Sequence, residues 1–281
     1  MTLISAQALF LRLNDPALKI IDARFALADP GQGLQDYLKG HIPGAWHVSL
    51  DADLSGPKTD PLSGRHPLPG EAPFSALLER LGIAPEHHVV VYDQSDGAMA
   101  ASRFWFLLRL AGHRHVSVLD GGLSHWSAQG FPVTDTLPEP SSSHYPVHFD
   151  QSLLVDVMQL KRLLADPSAA ALLDARAPER FRGETEPLDK KAGHIPGALN
   201  RPFSQNLENG VFKSPERLRA EFASLIEGRK NIVLSCGSGV TACHNLLALS
   251  HAGIEGAKLF APSWSGWVAD DANPVAPGYG A

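Results

Sequence analysis

GHIPGA stands at residues 40–45 and again at residues 193–198. Upstream of each copy lies an apolar run closed by Asp-Ala-Arg, IIDARF (20–25) before the first and LLDARA (172–177) before the second. The order persists downstream. HVVVYDQSDG (88–97) corresponds to NIVLSCGSG (231–239), and AGHRHVSVLDGGLSHW (111–126) to AGIEGAKLFAPSWSGW (252–267). A spacing of about 150 residues is too long for a solenoid repeat and has the size of a domain, so the chain reads as two copies of one folding unit.

Within each copy, short apolar runs (KIID, VVVYD and SVLD; ALLD, NIVLS and KLF) alternate with helical stretches such as SRFWFLLRLAG (102–112) and SPERLRAEFASLIEG (214–228). Strands that are apolar throughout, rather than at every second residue, are buried on both faces, as parallel strands covered by helices are. The predicted class is therefore α/β, each copy a mainly parallel sheet flanked by helices. The first copy is placed at residues 1–135 and the second at 151–281. Residues 136–150 are rich in Pro and Ser, lack apolar periodicity and read as a linker. MTLISAQALFLRLNDPALK (1–19) is read as carrying the first helix.

The 281 residues, 44% of them hydrophobic and 19% charged, supply enough apolar material for such cores. A net charge of −6 with scattered basic residues argues against a nucleic-acid surface. No run approaches the roughly 18 apolar residues of a membrane span. The N-terminus has no basic segment ahead of an apolar run and no small-residue cleavage pattern, so no signal peptide is expected. Two cysteines, Cys236 and Cys243, cannot build a disulfide framework, which makes a reducing, cytoplasmic setting the expectation. No Cys-x2-Cys pair accompanies either one, and neither a metal site nor a cofactor is expected.

Duplication supplies an internal control: what both copies share serves the fold first. Asp22 with Arg24, Asp174 with Arg176, and His41 and His194 are accordingly read as scaffold. The copies part where VVVYD is set against NIVLS, because Asp93 then faces Cys236. Cys236 lies in SCGSGVTAC (235–243), after an apolar run and before the helical TACHNLLALSHAG (241–253). Cysteine attacks as thiolate, yet Gly237, Ser238, Gly239, Val240 and Thr241 offer no cation. Glycines let successive N–H groups converge on one point, and the start of a helix adds the positive end of its dipole. Such a cradle stabilises a sulfur anion and would equally hold a second sulfur bonded to the first. The competing readings are a buried structural cysteine and a phosphatase loop, but the latter needs an arginine at Cys-x5-Arg, and position 242 is Ala. Cys243, in the helix, is read as structural, with a redox partnership with Cys236 left open.

Taken together these residues resemble the tandem-domain rhodanese-type sulfurtransferases. The resemblance covers nearly the whole chain, through the doubled Asp-Ala-Arg and GHIPGA motifs and DGGLSHW (120–126). CGSGVT (236–241) is similar to the loop of the members that use 3-mercaptopyruvate. It implies two rhodanese-like domains, the first catalytically silent. It further implies that sulfur passes from 3-mercaptopyruvate to a persulfide on Cys236 with release of pyruvate. An acceptor thiol, such as thioredoxin or a small thiol, or cyanide would then take it. By the same resemblance, the backbone of Gly237, Gly239, Val240 and Thr241 cradles the persulfide. Ser238 cooperates with His66 in GRHPLPG (64–70) and Asp51 in VSLDAD (48–53), and Arg180 in APERFRGE (177–184) holds the donor carboxylate. The family's second arginine falls in Glu-Pro-Arg, where this chain has Glu186-Pro187-Leu188. Either Lys190 or Lys191 substitutes, or Arg180 holds the carboxylate with weaker orientation; Arg182 is a further candidate, though read first as a solvated surface arginine. A loop without a cation favours mercaptopyruvate and Leu188 argues the other way. Thiosulfate:cyanide sulfur transfer and a non-catalytic persulfide carrier are therefore the alternatives.

Overall fold

The computed structural model describes residues 2–97, 100–140, 142–166 and 168–279. They form two compact units, one of Met1–Gly56, Leu68–Asp150 and Asn209–Phe212, the other of Pro57–Pro67, Gln151–Glu208 and Lys213–Ala281. Among the described residues no helix is long and apolar enough to cross a membrane.

The first unit is built on a five-stranded sheet in the spatial order Leu3–Ile4, Val116–Leu119, His88–Tyr92, Leu18–Asp22, Ala45–His47, every neighbouring pair parallel. The strand Val116–Leu119 is buried throughout, as is His88–Tyr92 beyond its first residue, which is the burial that continuous apolar runs predict. The second unit repeats the plan with Lys258–Leu259, Asn231–Ser235, Ala170–Asp174 and Ala198–Asn200, again all parallel. Leu154 forms a parallel bridge to Leu259 at the edge where the first unit has its Leu3–Ile4 strand. The first helix read within residues 1–19 is preceded by a short strand. Leu3 and Ile4 pair with Val118 and Leu119, and the helix occupies only Ala6–Phe10, its N-cap Ser5 accepting the Ala8 N–H. Edge pairing gives these two residues backbone partners and buries both side chains.

The duplicated motifs form one device. In the first unit the Asp22 carboxylate accepts Arg24 N–H (3.0 Å) and Nε (2.9 Å), and Arg24 Nη2 donates to the Gly40 carbonyl at 2.8 Å. In the second, Asp174 accepts Arg176 N–H (2.9 Å) and Nη2 (2.7 Å), and Arg176 Nη2 donates to the Gly193 carbonyl at 2.8 Å. Each Asp-Ala-Arg thus pins the loop that opens its GHIPGA. The Ile-Pro-Gly-Ala that follows closes a turn with Ala45 N–H on Ile42 and Ala198 N–H on Ile195, both at 3.0 Å, and with Gly44 and Gly197 at φ +79° and +82°. That geometry wants proline first and glycine second. His41 stacks on Tyr37 and bonds its carbonyl (2.8 Å), as His194 does with Phe181 (2.9 Å). Trp126 and Trp267, at equivalent core positions, bond the carbonyls of Pro132 and Pro274.

Residues 136–140 and 142–150, within the stretch read as a linker, cluster with the first unit. Tyr145 and Val147 are buried, Ser143 Oγ donates to the Ile83 carbonyl at 2.6 Å, and Asp150 N–H to that of Leu110 at 2.8 Å. Pro and Ser here mark an extended strap whose contacts have no period to read.

His88 carries a pH expectation for this unit. Its Nδ1 lies 2.5 Å from Arg12 Nη1 and its Nε2 2.9 Å from Ser117 Oγ. Burial, reinforced by the Arg12 charge, pushes its pKa down to about 4. Between there and the ordinary value near 6.5 the unfolded chain binds a proton that the native chain refuses. This group's contribution to stability therefore falls as pH drops through that window and levels off below it. Urea midpoints measured from pH 7 to 4 are expected to decline more steeply in the wild type than in His88→Gln; equal slopes would remove His88 from the account.

Candidate functional site

Ser235 pairs with Asp174 as Tyr92 pairs with Asp22, so the next residues, Cys236 and Asp93, are structural equivalents at the C-terminal ends of central strands. That end is where parallel α/β sheets build their sites. In the first unit the position closes on itself, Asp93 Oδ1 accepting Gly97 N–H at 2.8 Å and the Asp93 carbonyl accepting Leu123 N–H at 3.0 Å. In the second it holds a thiol.

Cys236 is 2% exposed, and its Sγ accepts the N–H of Gly239 at 3.1 Å. Gly239 has φ +79°, and a Cβ there would lie 2.4 Å from the Ala261 carbonyl oxygen, so both backbone and space demand glycine. Val240 caps the helix Thr241–His251, whose first N–H groups have no acceptor within the helix and give the loop a positive end. Opposite, Cys236 N–H donates to Ser263 Oγ (3.1 Å), and the carbonyls of Cys236 and Gly237 accept the N–H groups of Trp264 and Ser265, each at 2.9 Å. From the helix, the buried Cys243 donates its S–H to the Gly239 carbonyl at 3.3 Å. The thiol therefore sits in a loop braced from both sides, and Cys243 is one of the braces.

Ser238 Oγ lies 2.7 Å from His66 Nδ1, and both residues are buried. His66 reaches this loop because residues 57–67 fold with the second unit. Asp51 stands in the first unit, half-buried in a turn shortly after the strand Ala45–His47.

The cations missing from the loop arrive from two other segments. A Cβ on Gly237 would lie 3.2 Å from Arg65 Nη2 and 3.5 Å from both terminal nitrogens of Arg180. Arg180, from the short helix Pro178–Phe181, is held by Glu186 (Nη2 to Oε1, 2.7 Å), which also takes Arg176 Nη1 at 3.4 Å and the N–H groups of Leu188 and Asp189. Asp189 forms an ion pair with Arg65 and lies 3.4 Å from Arg180 Nη2. Burial pushes the Asp189 pKa up, with Glu186 adding to the rise and the two arginines opposing it. Arg176 stacks 4.7 Å above the Trp264 ring. Burial alone would lower its pKa; the charge and hydrogen bond of Asp174, then Glu186 and Cys236, reverse that and raise it. A cavity of about 460 Å³ opens beside Arg65, lined also by Leu188, Asp189, Lys190 and Ser265.

The expected substitutes for the family's second arginine are engaged elsewhere. Lys190 and Lys191 both pair with Asp271 at 3.0 Å, and Arg182 pairs with Glu184 at 2.6 Å and stacks on Tyr279. The second guanidinium at the loop is Arg65, which sequence reasoning passed over. Its one signal is adjacency to His66 in GRHPLPG.

Residues 5–129 and 156–270 each match the Rhodanese-like domain family. The chain is 46% identical over 279 residues to a Pseudomonas aeruginosa protein named "Probable 3-mercaptopyruvate sulfurtransferase", covering 98% of each. It is 36% identical over 258 residues to the bovine thiosulfate sulfurtransferase, covering 90% of this chain and 85% of that one. Among solved structures, the 3-mercaptopyruvate sulfurtransferase SseA of Escherichia coli superposes with a TM-score of 0.82 at 34% identity, covering 94% of this chain and 99% of that one. Two family matches in tandem, on two units with one strand order and one set of pinned motifs, lead to a single conclusion: the chain belongs to the rhodanese-like domain family.

Proposed function

We propose that this protein is a sulfurtransferase that carries sulfur from 3-mercaptopyruvate, through a persulfide on Cys236, to a thiol or to cyanide. The observation that carries the reading is the Cys236 sulfur on the Gly239 N–H, at the head of a helix, with the guanidiniums of Arg65 and Arg180 beside Gly237. Backbone N–H groups stabilise a sulfur anion, and guanidiniums recognise a carboxylate bidentately.

In the first half-reaction the Cys236 thiolate attacks the donor's sulfur. The S–S bond forms, the donor's C–S bond breaks, and its electron pair stays on carbon as the enolate of pyruvate. The proton that leaves the donor thiol ends on that carbon, giving pyruvate and leaving the persulfide anion on Cys236. We take Ser238, hydrogen-bonded to His66, as the hydroxyl that relays it. By the resemblance Asp51 supplies the carboxylate of this set, a role that an unchanged kcat in Asp51→Asn would remove. In the second half-reaction the acceptor thiolate or cyanide attacks the outer sulfur, and Cys236 leaves as thiolate. Gly237, Gly239, Val240 and Thr241 form the loop that holds the anion in both halves. The first unit, with Asp93 in the nucleophile's place, is catalytically silent. A thiol that must return reduced after each cycle fits a reducing, cytoplasmic compartment, with thioredoxin or a small thiol as acceptor.

Steady-state rates with 3-mercaptopyruvate and with thiosulfate, cyanide as acceptor, test the proposal. Mercaptopyruvate is expected to give the higher kcat/KM, and Arg180→Ala to raise KM about tenfold or more for mercaptopyruvate and less for thiosulfate, since it removes a charge-assisted contact to the carboxylate. Two guanidiniums beside the loop also suit a compact dianion, so preference for thiosulfate would shift the reading to thiosulfate:cyanide transfer. Persulfide loading with negligible turnover on either donor would make the protein a sulfur carrier.

A further inference from the structure

Residues 57–67 bring the Arg65 guanidinium beside Gly237, and it has no counterpart in the loop's own sequence. Arg65 is anchored by its main chain, its N–H donating to Ser265 Oγ at 2.9 Å, and Ser265 in turn donates its N–H to the Gly237 carbonyl. Gly64, with φ +84°, packs so closely that a Cβ would lie 2.5 Å from the Pro262 carbonyl oxygen. The segment is therefore fixed to the loop that clamps Cys236, and the Arg65 side chain is only a quarter exposed. Its guanidinium and that of Arg180 approach Gly237 from two different segments, and glycine is the residue that leaves them room.

Between these guanidiniums stands one carboxylate, that of Asp189, whose side chain is 5% exposed. Glu186, also buried, is fixed by Arg176, Arg180 and two backbone N–H groups, so it is part of the frame. The Asp189 carboxylate contacts both guanidiniums and borders the 460 Å³ cavity together with Arg65. Burial disfavours the Asp189 charge and pushes its pKa up.

We infer that Arg65 is the second carboxylate-binding guanidinium of this site, standing in for the arginine absent at Leu188, and that the Asp189 carboxylate occupies the donor's place between Arg65 and Arg180 until the donor displaces it. This rests on the reading of Cys236 as the sulfur-transfer nucleophile. The donor carboxylate exchanges with Asp189 at the two guanidiniums, the thiol of a three-carbon 2-oxo acid then points toward Cys236, and the Asp189 side chain turns into the adjacent cavity. An uncharged donor has nothing to exchange. Charge recognition thus comes from residue 65, while the loop itself stays neutral.

The test uses the full chain, with 3-mercaptopyruvate as donor and cyanide as acceptor, and intact-mass detection of the Cys236 persulfide. Wild-type enzyme that forms no persulfide and does not turn over would overturn the proposed function itself, independently of Arg65. Given an active wild type, Arg65→Ala is expected to raise KM about ten- to hundredfold, the loss of one charge-assisted hydrogen bond, with kcat changed no more than about threefold. Arg65→Lys should recover part of the loss. Because Arg65 adjoins His66, a merely structural role would instead lower kcat and leave lysine no advantage. Asp189→Asn, close in shape but uncharged, separates competition from support: KM should fall below wild type if Asp189 competes with the donor. An unchanged KM in Arg65→Ala overturns the assignment of Arg65, and a KM in Asp189→Asn that is unchanged or raised overturns the placeholder role of Asp189. Thermal melts of each variant verify that it is folded.

Discussion

Cys236→Ser is expected to abolish persulfide formation and to lower turnover by on the order of a thousandfold or more, the effect of deleting a covalent nucleophile. The substitution is small. Serine fits a position that is 2% exposed, and its Oγ can accept the same Gly239 N–H, so the loop's hydrogen bonds to Trp264 and Ser265 should survive. What disappears is chemistry: a hydroxyl is not ionised near neutral pH, and oxygen makes no stable bond to the transferred sulfur. Intact-mass spectrometry after donor treatment should show the wild type gaining one sulfur atom and the variant none, while thermal melts coincide. Full turnover in the serine variant would sink the central claim. The control is Cys243→Ser, where the side chain braces the Gly239 carbonyl from the helix; persulfide loading should persist there.

Asp174→Ala is expected to cost about 3–5 kcal/mol of stability, the penalty for leaving a buried charge without its main partner. Arg176 is 3% exposed, gives Asp174 its Nε and Nη2 as well as its N–H, and keeps only the 3.4 Å contact with Glu186 as ionic compensation. The same guanidinium pins the Gly193 carbonyl at the head of the second GHIPGA and covers Trp264, whose N–H lies on the Cys236 carbonyl. Urea unfolding should show a lowered midpoint, and kcat should fall at concentrations of urea that leave the wild type active. Asp22→Ala makes the equivalent lesion in the first unit, stranding Arg24 and the Tyr92 hydroxyl, and should destabilise to a similar degree. A loss below about 1 kcal/mol in both would mean that these pairs contribute no more than exposed ones do.

The two-copy plan was legible because its determinants are local and repeated. Continuous apolar runs specify buried parallel strands, Ile-Pro-Gly-Ala specifies one turn, and Asp-Ala-Arg specifies a carboxylate and guanidinium two residues apart. Each can be read within a few residues, and each was written twice. The start of the chain was less legible: Leu3 and Ile4 lie just ahead of the first helix, and only pairing with Val118 and Leu119 makes them a strand. The same holds for residues 136–150, whose contacts with Ser75, Ile83 and Leu110 follow no period.

At the site the division is sharper. Cys236 and its glycines were decided by sequence alone, since an anion cradle made of backbone needs small residues in succession ahead of a helix, and comparison with Asp93 showed which copy carries the thiol. The second charge that faces the cradle, beside that of Arg180, was decided only by tertiary structure. Leu188, Lys190 and Lys191 occupy the stretch where the family's pattern puts a cation, but the lysines turn to Asp271, and the guanidinium comes from Arg65. Electrostatic attraction depends on distance in space and is indifferent to distance along the chain. A cation supplied by residues 57–67 to a loop at 236–241 leaves no local pattern, and it becomes visible only when folding has set Arg65 beside Gly237.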